Sequence, residues 1–253
     1  MKNYKKILSI LSIFSNSLYA QTISHNNDIW LHYFGKFNLK GRSSVSFEAT
    51  SRYANGFSEK QQYFVRPSFD YKFSKNLTAS LGYSHYKTYV YGEPAINKIP
   101  VPENHVWLQA TISSQISKLK ITNRLRDENR WVGVAGKENN SNELSIIDYT
   151  YRNRIRHMIV ANYPIAKISN KYQLSAIAGD EAFYNVGKNA GATLMNQNRI
   201  IGGMGLTINP HLQFQMAYIH QHIWNFSNTI RESNPTIRLS VYANVDLFDS
   251  KKQ

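Results

Sequence analysis

Arginine recurs at every second residue in two places. Arg152, Arg154 and Arg156 lie in YRNRIRHMIV (151–160); Arg124, Arg126, Glu128 and Arg130 lie in TNRLRDENRW (122–131). Side chains two apart share one face of an extended strand, whereas on a helix they point nearly opposite ways. The partner face of the first run is mostly apolar, with Tyr151, Ile155, Ile159 and Ala161. Such a chain folds into strands that separate charge from hydrocarbon side chains.

The same alternation runs through most of the sequence after residue 25. In QYFVRPSFDYKF (62–73), Tyr63, Val65, Pro67, Phe69, Tyr71 and Phe73 oppose Gln62, Phe64, Arg66, Ser68, Asp70 and Lys72. In SVSFEATSRY (44–53), Val45, Phe47, Ala49 and Tyr53 oppose Ser46, Glu48, Thr50 and Arg52. About 11 strands are predicted, near 28–38, 44–53, 62–73, 77–91, 105–116, 120–132, 148–162, 170–185, 196–208, 211–225 and 237–247. Many exceed the roughly 5–6 residues of ordinary globular strands and match the roughly 9–11 of membrane-spanning ones. Short connections (39–42, 74–76, 117–119, 163–169, 209–211) alternate with longer ones (55–60, 92–104, 133–147, 186–195, 226–233).

Those features predict an all-β fold: a transmembrane, antiparallel, up-and-down β-barrel of about 12 strands, within a range of 10–12. It must close, because an unpaired strand edge in lipid has no water to bond. An even strand number, required if both termini share a side, is reached either by a short extra strand from 21–27, giving 12, or by a first segment that lines the lumen of a ten-stranded barrel; the former is preferred. A soluble β-sandwich with one wet face is the competing architecture, but its strands are shorter. Aromatics near strand ends (Tyr53, Tyr63, Tyr89, Tyr91, Trp131, Tyr149, Tyr184, Trp224) suit an interfacial girdle.

In a barrel the charged face lines the lumen. The residues assigned there are Glu48, Arg52, Arg66, Asp70, Arg124, Arg126, Glu128, Arg130, Arg152, Arg154, Arg156, Glu181, Arg199 and Arg238. Glu48, Asp70, Glu103, Glu128 and Glu181 are the expected counterions, held by two-pronged arginine contacts.

The N-terminus, MKNYKKILSILSIFSNSLYAQ, has a basic start, a short apolar run and Ala20, the pattern of a signal peptide. Residues 1–20 are assigned to it and 21–253 to the barrel domain, which places the protein in the outer membrane of a Gram-negative bacterium. Cleavage removes three lysines and no acid, lowering the net charge from +14 to +11. Export and the lack of any zinc-finger or helix-turn-helix pattern argue against nucleic acid as the partner of that charge. The chain has no cysteine, hence no disulfide, thiolate metal site or lipidated N-terminal cysteine.

Few motifs point to chemistry. His220 and His222 share a face, but so do Met216, Tyr218 and Trp224, which favours an interfacial belt over a metal pair. Gly202, Gly203 and Gly205 lie inside a strand pattern with no following helix, unlike a phosphate loop. Ser114, Asn123 and His157 fall outward on neighbouring strands, the constituents of a lipid-facing catalytic triad; a one-residue slip would turn any of them inward. No metal or cofactor site is expected.

NRLRDENR (123–130), RNRIR (152–156), DEAFYN (180–185), NQNRIIGGMGLTI (196–208) and the start DIWLHYFGKFNL (28–39) resemble an uncharacterised family of bacterial outer-membrane β-barrels, a domain of unknown function. The resemblance covers nearly the whole mature chain. It implies fold and location, and no activity. Asp127 and Asn129 depart from it, where apolar or weakly polar lipid-facing residues are expected.

The expected function is non-enzymatic: a narrow, anion-favouring pore or a structural barrel. The alternatives are a lipid-acting enzyme (phospholipase or lipid A modification) and a surface-binding barrel using loops 92–104 and 133–147. The expected partners are outer-membrane lipids, the barrel-assembly machinery and a small anionic solute.

Overall fold

A computed structural model describes residues 21–138, 142–168 and 172–248; the predicted signal segment 1–20 lies outside them. Its strands, in chain order, are β1 (Thr22–Ser24), β2 (Asp28–Asn38), β3 (Ser43–Ala54), β4 (Glu59–Lys72), β5 (Leu77–Thr88) and β6 (Val101–Ile116). They continue as β7 (Leu119–Lys137), β8 (Leu144–Ile168), β9 (Tyr172–Val186), β10 (Met195–Asn209), β11 (Leu212–Trp224) and β12 (Ile230–Asp246). No helix occurs among the described residues.

From β2 to β12 each strand pairs antiparallel with its successor in the chain, and β12 returns to pair with β2, closing the sheet. This ring excludes a two-sheet sandwich. The closing pair is parallel. β1 lies on the same edge of β12 and is also parallel to it, with Ser24 opposite Glu232; Asp28 of β2 then lies opposite Thr236. β1 and β2 are therefore two pieces of one stave in one register. The interruption falls opposite Pro235, which has no N–H to give a ladder.

The predicted short strand at 21–27 thus exists, and the total is twelve. It does not restore an even antiparallel ring, because it continues β2 end to end. Residue 21 lies at the end with the long connections, and residue 246 at the end with the short ones.

Two predicted connections are largely strand. β8 runs on through YPIAKI to Ile168, absorbing the proline with a register shift between Pro164 and Ala166. At the other end, Lys137 pairs with Leu144, so the 133–147 loop is mostly a two-stranded ribbon. It stands above its neighbours, since β9 reaches only to Asn153 on β8.

The two faces are inverted relative to a water-soluble protein. Leu81, Leu108, Ile112, Leu125, Ile200 and Met216 point outward and are 48–59 % exposed. Arg66, His105, Arg126, Glu128 and Gln221 point inward and are at most 4 % exposed. Ordinary surfaces bury such apolar groups and leave the charged ones wet.

Aromatic side chains also turn inward. Trp30, Phe64, Trp107 and Phe183 are each at most 3 % exposed. Trp107 lies across Gly82, on the neighbouring strand, and donates through Nε1 to Ser84 at 2.9 Å. A Cβ on Gly82 would occupy the indole's place. Gly82→Val is expected to displace the ring and cost about 1–3 kcal/mol, read as a lowered urea midpoint; an unchanged midpoint would show that the ring has room to move.

Candidate functional site

The inward faces enclose a cavity of about 790 Å³. Its most charged wall is formed by β7 and β8. Their register sets Arg126 opposite Arg156, Glu128 opposite Arg154 and Arg130 opposite Arg152. Like charges directly opposite are destabilising, so Glu128 has to serve several arginines. It accepts from Arg154 Nε at 2.8 Å and Nη2 at 2.6 Å, and from Arg156 Nη1 at 2.7 Å, and is itself wholly buried.

Three further carboxylates act similarly. Glu181 accepts from Arg124 at 2.5 Å, Arg156 at 2.7 Å and Arg199 at 3.1 Å. Glu48 accepts from Arg66 at 2.6 Å and lies 3.2 Å from His32. Glu103 accepts from Arg130 at 2.8 Å and lies 2.9 Å from His105. Charge-assisted bonds of this length are the strong kind.

Aromatic faces fix the planes of the same guanidiniums. Arg52 lies 4.0 Å and Arg199 4.9 Å from the Trp30 ring; Arg126 lies 4.2 Å from Trp107, and Arg156 4.4 Å from Phe183.

The balance is not neutral. Around the middle of the barrel, Arg52, Arg66, Arg124, Arg126, Arg130, Arg154, Arg156 and Arg199 are set against Glu48, Glu103, Glu128 and Glu181; Asp70 borders the same cavity, and the buried Asp28 lies within electrostatic range of Arg52. Arg52 hydrogen-bonds to Gln62 at 2.7 Å and Arg126 to Gln109 at 2.8 Å, and neither bonds to a carboxylate. The nearest approach is Arg126 Nη1 to Glu128, 3.7 Å, too long for a hydrogen bond. Arg52 Nε and Arg126 Nη1 are buried with no partner.

Every residue predicted to line the lumen borders this cavity except two. Glu128 sits within the wall. Arg152 lies nearer the long-loop end, 4.2 Å from the Phe226 ring. Asp70 is not an arginine counterion: its carboxylate accepts from Ser46 and, at 3.4 Å, from Ser68. Phe64 and Gln62 fall on the face assigned to the lumen, but Trp30, Trp107 and Phe183 were not anticipated in the lumen lattice. The only sequence signal is position: Trp107 is two residues from Gln109, as Phe64 is from Arg66.

At the long-loop end, the β5–β6 connection folds inward. Tyr91 borders the lumen and donates to Glu232 at 3.0 Å, and Gly92 N–H donates to Glu59 at 2.9 Å. Tyr91 therefore does not belong to an outward girdle. Enclosure within the barrel, then the nearby Glu232 and Asp28 carboxyls, push its phenol well above the ordinary range, so it remains a donor.

Ser114, Asn123 and His157 all lie on the outer face, as their neighbours Ser113, Thr122, Arg124 and Arg156 line the cavity. They do not form a triad. Ser114 lies opposite Ile121, while His157 lies opposite Leu125, on the next strand and four residues further up. Strand spacing and rise then separate Ser114 from His157 by roughly 15 Å. The outward Asp127 and Asn129 are satisfied by neighbours: Asn153 donates to Asp127 at 2.6 Å and Tyr151 to Asn129 at 2.6 Å. Tyr218, His220, His222 and Trp224 form an outward ladder of rings, with the two imidazoles 4.7 Å apart. Among the described residues, no cluster of three or more His, Asp or Glu side chains is placed to hold a metal. Gly203 and Gly205 are packing glycines: a Cβ there would meet the backbone at Met216 and the Gln213 amide.

Among curated proteins, none matches this chain. A solved structure described as the NanC porin in a rhombohedral crystal form aligns with a TM-score of 0.39 at 9 % identity, covering 81 % of this chain and 93 % of that one. Residues 27–232 match the family described as "Protein of unknown function (DUF2490)", and the chain belongs to that family.

Proposed function

We propose that this chain is an outer-membrane barrel that admits small anions into its lumen. Residues 1–20 direct export and are removed; the barrel-assembly machinery inserts the rest, and membrane lipids cover the apolar wall. The observation that carries the reading is the surplus of guanidinium over carboxylate around an enclosed cavity, with Arg52 and Arg126 lacking any carboxylate bond. A guanidinium without a carboxylate hydrogen bond is best satisfied by an anion, and basic pore linings favour anions. The outer-face Ser114, Asn123 and His157 are too far apart to support lipid hydrolysis.

Reversal potentials across planar bilayers holding a potassium chloride gradient test the proposal. Chloride preference is expected, and it should weaken in Arg52→Gln and Arg126→Gln. Cation preference, or a sealed barrel with no conductance, overturns it.

A further inference from the structure

Arg52 and Arg126 are the two guanidiniums of the belt with no carboxylate bond, and they stand on different walls, on β3 and β7. Arg66 and Arg156 lie within electrostatic range of both, and each of these is paired with glutamate. The belt thus has two poles without a carboxylate hydrogen bond: Arg126 keeps only its 3.7 Å approach to Glu128, and Arg52 only the longer-range field of Glu48 and Asp28. Each pole is backed by an indole: Trp30 lies 4.0 Å from Arg52, and Trp107 lies 4.2 Å from Arg126. Each also keeps a buried nitrogen without a hydrogen-bond partner, Nε of Arg52 and Nη1 of Arg126; Arg124, Arg130 and Arg156 do so at Nε, but each of those also holds a carboxylate. Arg126 is only 3 % exposed. Leaving such groups unpaired is costly, so their fixed orientation marks a place for an acceptor.

We infer that the lumen binds an organic dianion, with one carboxylate at Arg52 and the other at Arg126. A compact anion answers only one pole. A short chain with an acidic group at each end answers both, and its apolar middle passes between the two indole-backed arginines. The inference rests on the anion-admitting reading of the same lumen, but binding does not require that ions pass through.

The test is calorimetric titration of the detergent-solubilised, folded barrel with glutarate, butyrate and inorganic phosphate. The glutarate Kd is expected to be at least tenfold lower than either of the others. Arg52→Gln and Arg126→Gln, each checked for heat-modifiable gel migration, should reduce the glutarate advantage over butyrate to less than threefold. Equal affinity for glutarate and butyrate overturns the inference, as does no glutarate binding. Phosphate binding as tightly as glutarate also overturns it, assigning the site to a compact ion. The three-ligand comparison on the unaltered protein decides the matter even if a variant fails to fold. A barrel that binds glutarate without conducting would refute the pore and leave this site standing.

Discussion

Glu128→Ala is expected to destabilise the barrel by about 3–5 kcal/mol, the cost of removing one partner from a buried ion pair. Glu128 is wholly buried and accepts three hydrogen bonds, from Arg154 and Arg156. It also separates Arg126 and Arg156 from Arg130 and Arg152, two arginine pairs that the β7–β8 register sets directly opposite each other. Without it, Arg154 loses its carboxylate and Arg156 keeps only Glu181. The effect should appear as a large drop in the urea midpoint, followed by tryptophan fluorescence and by loss of heat-modifiable migration. Asp127→Ala, one residue away but outward, removes a single bond to Asn153 and should cost about 1 kcal/mol. If both variants shift the midpoint equally, Glu128 is not the keystone of the wall. Replacing Glu128, Arg154 and Arg156 together with apolar residues of similar volume should recover much of the loss, because well-packed apolar groups replace buried ion clusters at little cost.

The sequence made the faces legible and left the closure hidden. Period-two patterning sorts each strand's side chains by neighbours one and two residues away, so the predicted bounds of β2, 28–38, coincide with the observed strand. Ring closure rests on the pairing of β12 with β2, which sets Asp28 opposite Thr236, far apart in the chain, while the break between β1 and β2 falls opposite Pro235. No local pattern encodes this, and the assumption that the termini share a side led toward an even antiparallel ring. The lumen arginines were legible for the same local reason as the strands. Their aromatic backing was legible only in part: Phe64 alternates onto the face of Arg66, while nothing local marked Trp30, Trp107 or Phe183 as backing for arginines. Ser114, Asn123 and His157 illustrate the opposite limit. Their face was readable, but their separation is a matter of register between strands.

If the barrel is inserted in a membrane as proposed, Met216→Arg is expected to destabilise it by about 2–4 kcal/mol, the cost of a cation on a lipid-facing wall near the bilayer midplane. Met216 is 58 % exposed on the outer wall and lies four residues from the start of β11 at the short-turn end. Its cross-strand neighbours are Met204 and Leu239, both outward and apolar, so an arginine there has no carboxylate partner on either side. Gln215→Arg, one residue earlier, turns into the wet cavity and should cost far less. The measurement is reversible unfolding of each variant by urea in phosphatidylcholine vesicles. The contrast between adjacent positions separates a lipid-facing wall from general intolerance of charge in β11. On a surface facing water, substitutions away from special features stay within about 0.5 kcal/mol. A penalty that small at Met216 would put the outer wall in water, and the membrane reading of this barrel would fail with it.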